Sequence, residues 1–235
     1  MKFTVSRLTD LFFPRRCVLC DNTLMASENG VCGDCKNKIK YISGRVCPVC
    51  GRKLLKSGEI CEDCVKTRHV FLGGRFPFSY ELIGDSVFRF KYSNRPEYAA
   101  FYAESIVEYA REFIASVDAD GIIPVPLHKK RLAKRGYNQA ELLAAEISKL
   151  TKIPMYADLA ERVVNTRPQK EFDKKQRQIN VKKAFNVKEN SVKLRTVLVV
   201  DDIFTTGSTI DSLAESLKGS GVERVYFLTI TAAST

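Results

Sequence analysis

The chain has 235 residues, of which 45% are hydrophobic and 28% charged, and 38 Lys and Arg face 27 Asp and Glu for a formal charge of +11. Such a composition excludes wholesale disorder, collagen-like repeats and low-complexity sequence, and the length is ample for a hydrophobic core. No apolar run approaches the ~20 residues that span a bilayer, so no membrane span is expected.

The first segment, Met1–Pro14, carries an apolar face and ends at a proline. It predicts a helix docking on the body of the protein or on a partner. Arg7 and Asp10 break any export-signal core, so a cytoplasmic location is expected. All eight cysteines come next, as four C-x-x-C pairs: Cys17/Cys20, Cys32/Cys35, Cys47/Cys50 and Cys61/Cys64. Each such turn aims two thiolates at one point, and two turns supply the four soft ligands of a tetrahedral structural zinc. A reducing compartment disfavours the alternative of four disulfides. Two structural zinc ions are therefore expected. The sequential arrangement puts Cys17, Cys20, Cys32 and Cys35 on one ion and the other four on the second; an interleaved one also satisfies the spacing. A stretch of this length with little apolar material needs the metal to fold.

After His69 cysteine disappears and the rhythm changes, giving a first domain at 1–69 and a second at 70–235. Val70–Glu81 is aromatic and β-branched and predicts a strand or hairpin. Glu97–Ser116 has apolar residues at helical spacing and predicts a surface helix. Gly121–Val125 predicts a strand. Lys129, Lys130, Arg131, Lys134 and Arg135 follow without an acid among them, in a segment read as a loop. Gln139–Leu150 predicts a second amphipathic helix and Leu159–Val164 a strand. Thr166–Lys183 is polar and basic and predicts a long loop. Val197–Val200 is a continuous apolar run, as in a strand buried on both faces. Ser208–Lys218 predicts a helix and Arg224–Ile230 a final strand. Strands alternating with helices argue for an α/β fold with a mostly parallel sheet flanked by helices.

The segment VLVVDDIFTTGST, from Val197 to Thr209, carries the most chemistry. A buried strand runs into Asp201 and Asp202, then into a short loop, then into a helix. Thr205, Thr206, Ser208 and Thr209 offer hydroxyls, and Gly207 lets backbone amides approach an anion. The helix N-terminus favours phosphate, and two carboxylates at the strand's carboxyl end suit sugar hydroxyls or magnesium. A phosphorylated sugar is the natural ligand.

This segment resembles the phosphoribosyl pyrophosphate (PRPP) motif of type I phosphoribosyltransferases. The cysteine pairs, Phe-Lys91-Tyr92, Pro124-Val-Pro-Leu127, Arg135-Gly-Tyr-Asn-Gln139, Thr166-Arg-Pro-Gln169, Arg177, Asn180 and Ala184-Phe185 occur around it in order. Together they resemble the ComF family of competence-associated proteins over nearly the whole chain. The resemblance implies a double zinc ribbon joined to a type I phosphoribosyltransferase domain, and a role in DNA uptake during natural transformation. It implies ribose held by Asp201 and Asp202 as catalytic residues, and the 5′-phosphate held by Thr205, Thr206, Gly207, Ser208 and Thr209. Pyrophosphate would lie against Pro126, Leu127, Arg131 and Arg135, with magnesium accompanying PRPP. The segment 166–183 would correspond to the lid over the substrate.

The charge is concentrated. Segment 129–135 holds five basic groups, and segment 167–188 holds eight against Glu171 and Asp173. Two zinc–tetrathiolate sites, each formally −2, lower the total from +11 to +7, which leaves a near-neutral scaffold with a cationic mouth. That mouth suits PRPP, and beside it single-stranded DNA, with Lys129, Lys130, Lys134, Lys174, Lys175 and Arg177 as candidate contacts. Tyr137 and Phe172 are candidate stacking residues. His69 and His128 stand isolated. Three functions compete: a PRPP-binding competence protein that contacts single-stranded DNA, an active phosphoribosyltransferase releasing pyrophosphate onto an unidentified acceptor with no nucleic-acid role, and a zinc-ribbon adaptor docking a competence helicase.

Overall fold

The computed structural model describes residues 14–54, 58–164, 184–188 and 193–233. The expected helix over 1–14, all but Pro14, and the expected basic loop over 166–183 lie outside the described residues.

The centre of the molecule is a parallel sheet in the order β1 (Gly73–Arg75), β8 (Arg224–Leu228), β6 (Thr196–Val200), β3 (Gly121–Pro124). All five residues of β6 are buried, as its unbroken apolar run requires. A shorter parallel sheet has the order β2 (Phe78–Ser79), β9 (Thr231–Ala232), β7 (Ile203–Phe204), following β1, β8 and β6 along the chain. Of the strand or hairpin expected over 70–81, strand forms and the hairpin does not. β1 and β2 are successive pieces of one chain direction, and each pairs with a C-terminal strand rather than with the other. A separate antiparallel pair, β4 (Ala160–Arg162) with β5 (Phe185–Val187), stands apart from these sheets.

The strand alternation sorts the core into two clusters. Ile123, Val125, Val197, Val199, Val225 and Phe227 join one cluster, with Leu213 and Leu217 of α8 (Ser208–Gly219). Ile122, Leu198, Val200 and Leu228 join the other. There they meet α3 (Tyr80–Tyr92), α4 (Tyr98–Tyr109) and α7 (Gln139–Thr151).

The helices differ from expectation at three places. α3 was not foreseen, because Gly84 and Asp85 interrupt an apolar pattern that otherwise places Ile83, Val87 and Phe90 on one face. Glu97–Ser116 is two helices, α4 and α5 (Arg111–Val117), broken at Ala110. Its amphipathic character holds: Tyr98, Tyr102 and Ile106 are fully buried on one face while Glu104, Glu108 and Glu112 are exposed on the other. Residues 129–135 form helix α6 (Lys129–Arg135) rather than a loop. His128 caps its start by accepting from the Lys130 amide, and Gly136 ends it in the left-handed conformation.

The cysteine region adds two short helices, α1 (Gly33–Lys36) and α2 (Glu62–Lys66). Its two halves join different clusters: Cys47 and Cys50 belong to the one containing α8, while Val18 belongs to the one containing α4. No helix among the described residues is long and apolar enough to cross a membrane.

Candidate functional site: a carboxylate pair, a hydroxyl loop and two cysteine clusters

β6 delivers Asp201 and Asp202 to its carboxyl end, and β7 carries the chain into Thr205, Thr206 and Gly207 before α8 begins. The Asp202 amide donates to Asp201 Oδ1 at 2.8 Å, which fixes the Asp201 side chain against its own backbone. Burial raises the Asp201 carboxyl to about 7, and the neighbouring Asp202 charge adds to the shift. Lys91 of α3 meets Asp202 Oδ1 at 2.8 Å, with both side chains largely buried. The positive charge of Arg162, on β4, lies close enough to offset part of the Asp201 shift. Its own guanidinium sits over the Phe185 ring.

Thr205, Thr206 and Ser208 are exposed, Thr209 is partly so, and Thr206 Oγ1 donates to Ser208 Oγ at 3.1 Å. Gly207 is the N-cap of α8, with φ +81°, a conformation that favours glycine. A Cβ there would also come within 2.9 Å of the His69 ring. His69 is thus neither isolated nor on the surface. Its Nδ1 donates to Asp211 Oδ2 at 2.8 Å, the Val70 amide donates to the other Asp211 oxygen, and the ring stacks on Phe71. Asp211 lies in the first turn of α8, so residue 69 pins the helix that opens at the hydroxyl loop.

Arg52 reaches the same loop from the cysteine region. Its Nη2 donates to the Thr205 carbonyl at 2.6 Å, its Nη1 pairs with Asp63 at 3.0 Å, and its guanidinium lies over the Phe204 ring. Lys91, Arg162, His69 and Arg52 join the site without having been expected there: Lys91 lies in the Phe-Lys-Tyr motif, while for the other three no local pattern announces a contact made by the folded chain.

Of the expected pyrophosphate contacts, Pro126 and Leu127 follow β3 and are partly exposed. Arg131 sits partly buried on α6, close enough for its charge to act on Arg162. Arg135 turns the other way, donating to Gln139 Oε1 at 2.7 Å and Tyr92 Oη at 3.2 Å. Lys129, Lys130 and Lys134 are exposed. Lys174, Lys175 and Arg177, with Phe172, lie outside the described residues. Tyr137 does not offer a stacking face to solvent. It is partly buried, its hydroxyl donating to the Phe90 carbonyl and accepting from the Arg95 amide.

The eight cysteines form two groups, Cys17, Cys20, Cys32, Cys35 and Cys47, Cys50, Cys61, Cys64, each with its sulfurs within 4.8 Å of one another. The arrangement is sequential. Four sulfurs converging with no other ligand type fit two closed, structural zinc sites.

Residues 8–65 match the double zinc ribbon domain family, and residues 132–234 match the phosphoribosyl transferase domain family. The chain is 33% identical to "Competence protein F" of Haemophilus influenzae, over 91% of this chain and 95% of that one. It is 27% identical to "Competence protein ComFC" of Bacillus subtilis, over 87% and 89% of the two chains. It is 29% identical to "DNA utilization protein YhgH" of Escherichia coli strain K12, over 92% and 96%. Among solved structures, adenine phosphoribosyltransferase of Saccharomyces cerevisiae is similar, with 13% identity over 63% of this chain and 73% of that one and a TM-score of 0.39. With a double zinc ribbon ahead of a type I phosphoribosyltransferase fold, and with likeness to these relatives along nearly its full length, the chain belongs to the competence protein F family.

Proposed function

We propose that this protein binds PRPP with magnesium at the Asp201–Thr209 segment, and that it serves DNA uptake by contacting single-stranded DNA beside that site in the cytoplasm. One observation carries the first half. Two carboxylates at the end of a buried parallel strand face a glycine-hinged hydroxyl loop that opens a 12-residue helix. The loop hydroxyls and the amides at the start of α8 suit a 5′-phosphate, and the carboxylates suit ribose hydroxyls. Adjacent carboxylate oxygens are also the donor set of magnesium, which would neutralise pyrophosphate charge. Asp202 and Asp201 would hold that ion, and Arg131 would face the pyrophosphate. Lys91 fixes Asp202 through their ion pair, and Asp201 binds cation or ribose best once its raised carboxyl has lost its proton. The relatives' printed names, competence protein and DNA utilization protein, support the second half.

The test replaces both carboxylates, Asp201→Ala with Asp202→Ala. Calorimetric titration with PRPP and magnesium should show the binding heat lost, while oligothymidylate affinity stays within twofold. PRPP binding that survives the double replacement sinks the pocket assignment. Pyrophosphate release by the unaltered protein, assayed with a panel of nucleobases and amines, decides whether the pocket also turns over.

A further inference from the structure

We propose that Phe88 and Tyr92, together with helix α6, form a stacking platform for single-stranded nucleic acid at the rim of the phosphate site; this placement rests on the DNA-handling reading above. α3 uses one face, Ile83, Val87 and Phe90, to fill the core. On its outer side it leaves Phe88 at 59% and Tyr92 at 60% exposure, with ring centroids 4.9 Å apart. Neither ring is needed for the core, and leaving two adjacent aromatics in water is unfavourable unless something covers them. Arg135 lies with its guanidinium over the Tyr92 ring, 4.8 Å from the centroid, and donates to the Tyr92 hydroxyl, so cation and ring are held together as one stack. The rest of α6 adds Lys129, Lys130 and Lys134, all exposed, and no acid lies between residues 129 and 135.

Aromatic faces beside a cationic edge match one ligand chemistry, unstacked bases on a phosphate backbone. A duplex supplies the phosphates and withholds the base faces, so the platform selects single strands. Its location is also fixed. Lys91 lies between the two rings in sequence, and its ammonium reaches Asp202 on the inner side. A strand lying on the platform therefore passes the mouth of the carboxylate pocket.

The test measures binding of fluorescein-labelled oligothymidylate by anisotropy at several salt concentrations, using the full chain. Base stacking on aromatics is worth ~1–3 kcal/mol per base, so Phe88→Ala with Tyr92→Ala should weaken binding about 10- to 100-fold. The slope of log affinity against log salt should not change. Replacing Lys129, Lys130 and Lys134 by Gln should instead flatten that slope by ~0.7 for each phosphate contact removed. The chain contains no tryptophan, so Phe88→Trp installs a sole tryptophan that can be excited to the red of the tyrosines. Oligothymidylate should quench it and duplex of equal length should not. Unchanged affinity in the aromatic double variant, or an unquenched Trp, overturns the platform while leaving DNA binding elsewhere on the protein intact. Aromatic replacements that dissolve a dimer without touching oligonucleotide affinity overturn it in favour of a self-association face. An unaltered protein that binds no oligonucleotide at low salt overturns the DNA-handling reading itself.

Discussion

The two cysteine clusters share a ligand pattern and little else. The first packs where α3 and α4 lie, holding on through Asp21, which accepts from Arg95 at 2.8 and 3.0 Å and from the Tyr98 hydroxyl. Its Cys20 is exposed. The second is set into the other core. Cys47 and Cys50 are fully buried, and Gly51, with φ +78°, packs so tightly on β1 that a Cβ would lie 2.7 Å from the Gly74 carbonyl. From that seat Arg52 grips the hydroxyl loop. Identical metal chemistry therefore supports a peripheral brace in one place and a wall of the candidate site in the other, and packing sets the difference.

That contrast can be broken first at the sulfurs. Cys50→Ser should remove one of two zinc ions, lower stability by several kcal/mol and abolish PRPP binding, because a structural zinc supplies folding free energy directly. Cys20→Ser should also cost one zinc, yet leave PRPP affinity within a few-fold. Metal content by mass spectrometry beside calorimetry reads both, and equal loss of PRPP binding in the two variants would erase the contrast.

A smaller change sharpens it at the side chain that links ribbon to loop. Arg52→Ala deletes a charged hydrogen bond to the Thr205 carbonyl, worth about 1.5–3 kcal/mol. PRPP affinity should fall about tenfold or more while zinc content stays at the unaltered level.

The mildest comparison uses pH. Arg95, aided by the Tyr98 hydroxyl, holds Asp21 down at about 2 against an ordinary 3.8. A depressed carboxyl adds stability above its unfolded value and loses it as pH falls, so the first ribbon's brace, roughly 2 kcal/mol, should fade between about pH 4 and pH 2. Asp201 has the opposite sign. Its raised carboxyl favours the folded state below about pH 4 and loses that contribution as pH climbs through about 7. Asp201→Asn should therefore stabilise the ligand-free protein at pH 8 and do little at pH 4, whereas Asp21→Asn should destabilise at neutral pH. Urea titrations at these pH values check both directions.

Much of this molecule was readable from residues alone where function is written contiguously. The C-x-x-C pairs and the run from Val197 to Thr209 each carry strand, turn and ligand chemistry within a few positions, so their clusters and secondary structure could be anticipated. What escaped was made by the folded chain. His69 stands isolated in sequence because its partner Asp211 belongs to the last helix, and nothing near Arg52 in sequence announces its contact with Thr205, 153 positions away. α3 escaped for a different reason, an apolar stripe interrupted by Gly84 and Asp85. The basic segment at 129–135 was read from charge, which hid the capping signals at His128 and Gly136 that make it helical.

The register joining Gly73 to Tyr226 has a consequence for synthesis. Among the described residues β1, on which the second cluster rests, has no partner strand until β8 has left the ribosome. The cysteines can take up metal early, and Arg52 can meet Thr205 once that loop is made, but the sheet edge under the ribbon waits for residues 224–228. The ribbon is thus made long before the strand that completes its seat, and a nascent chain halted before β8 carries a metal-loaded ribbon on an unpaired β1.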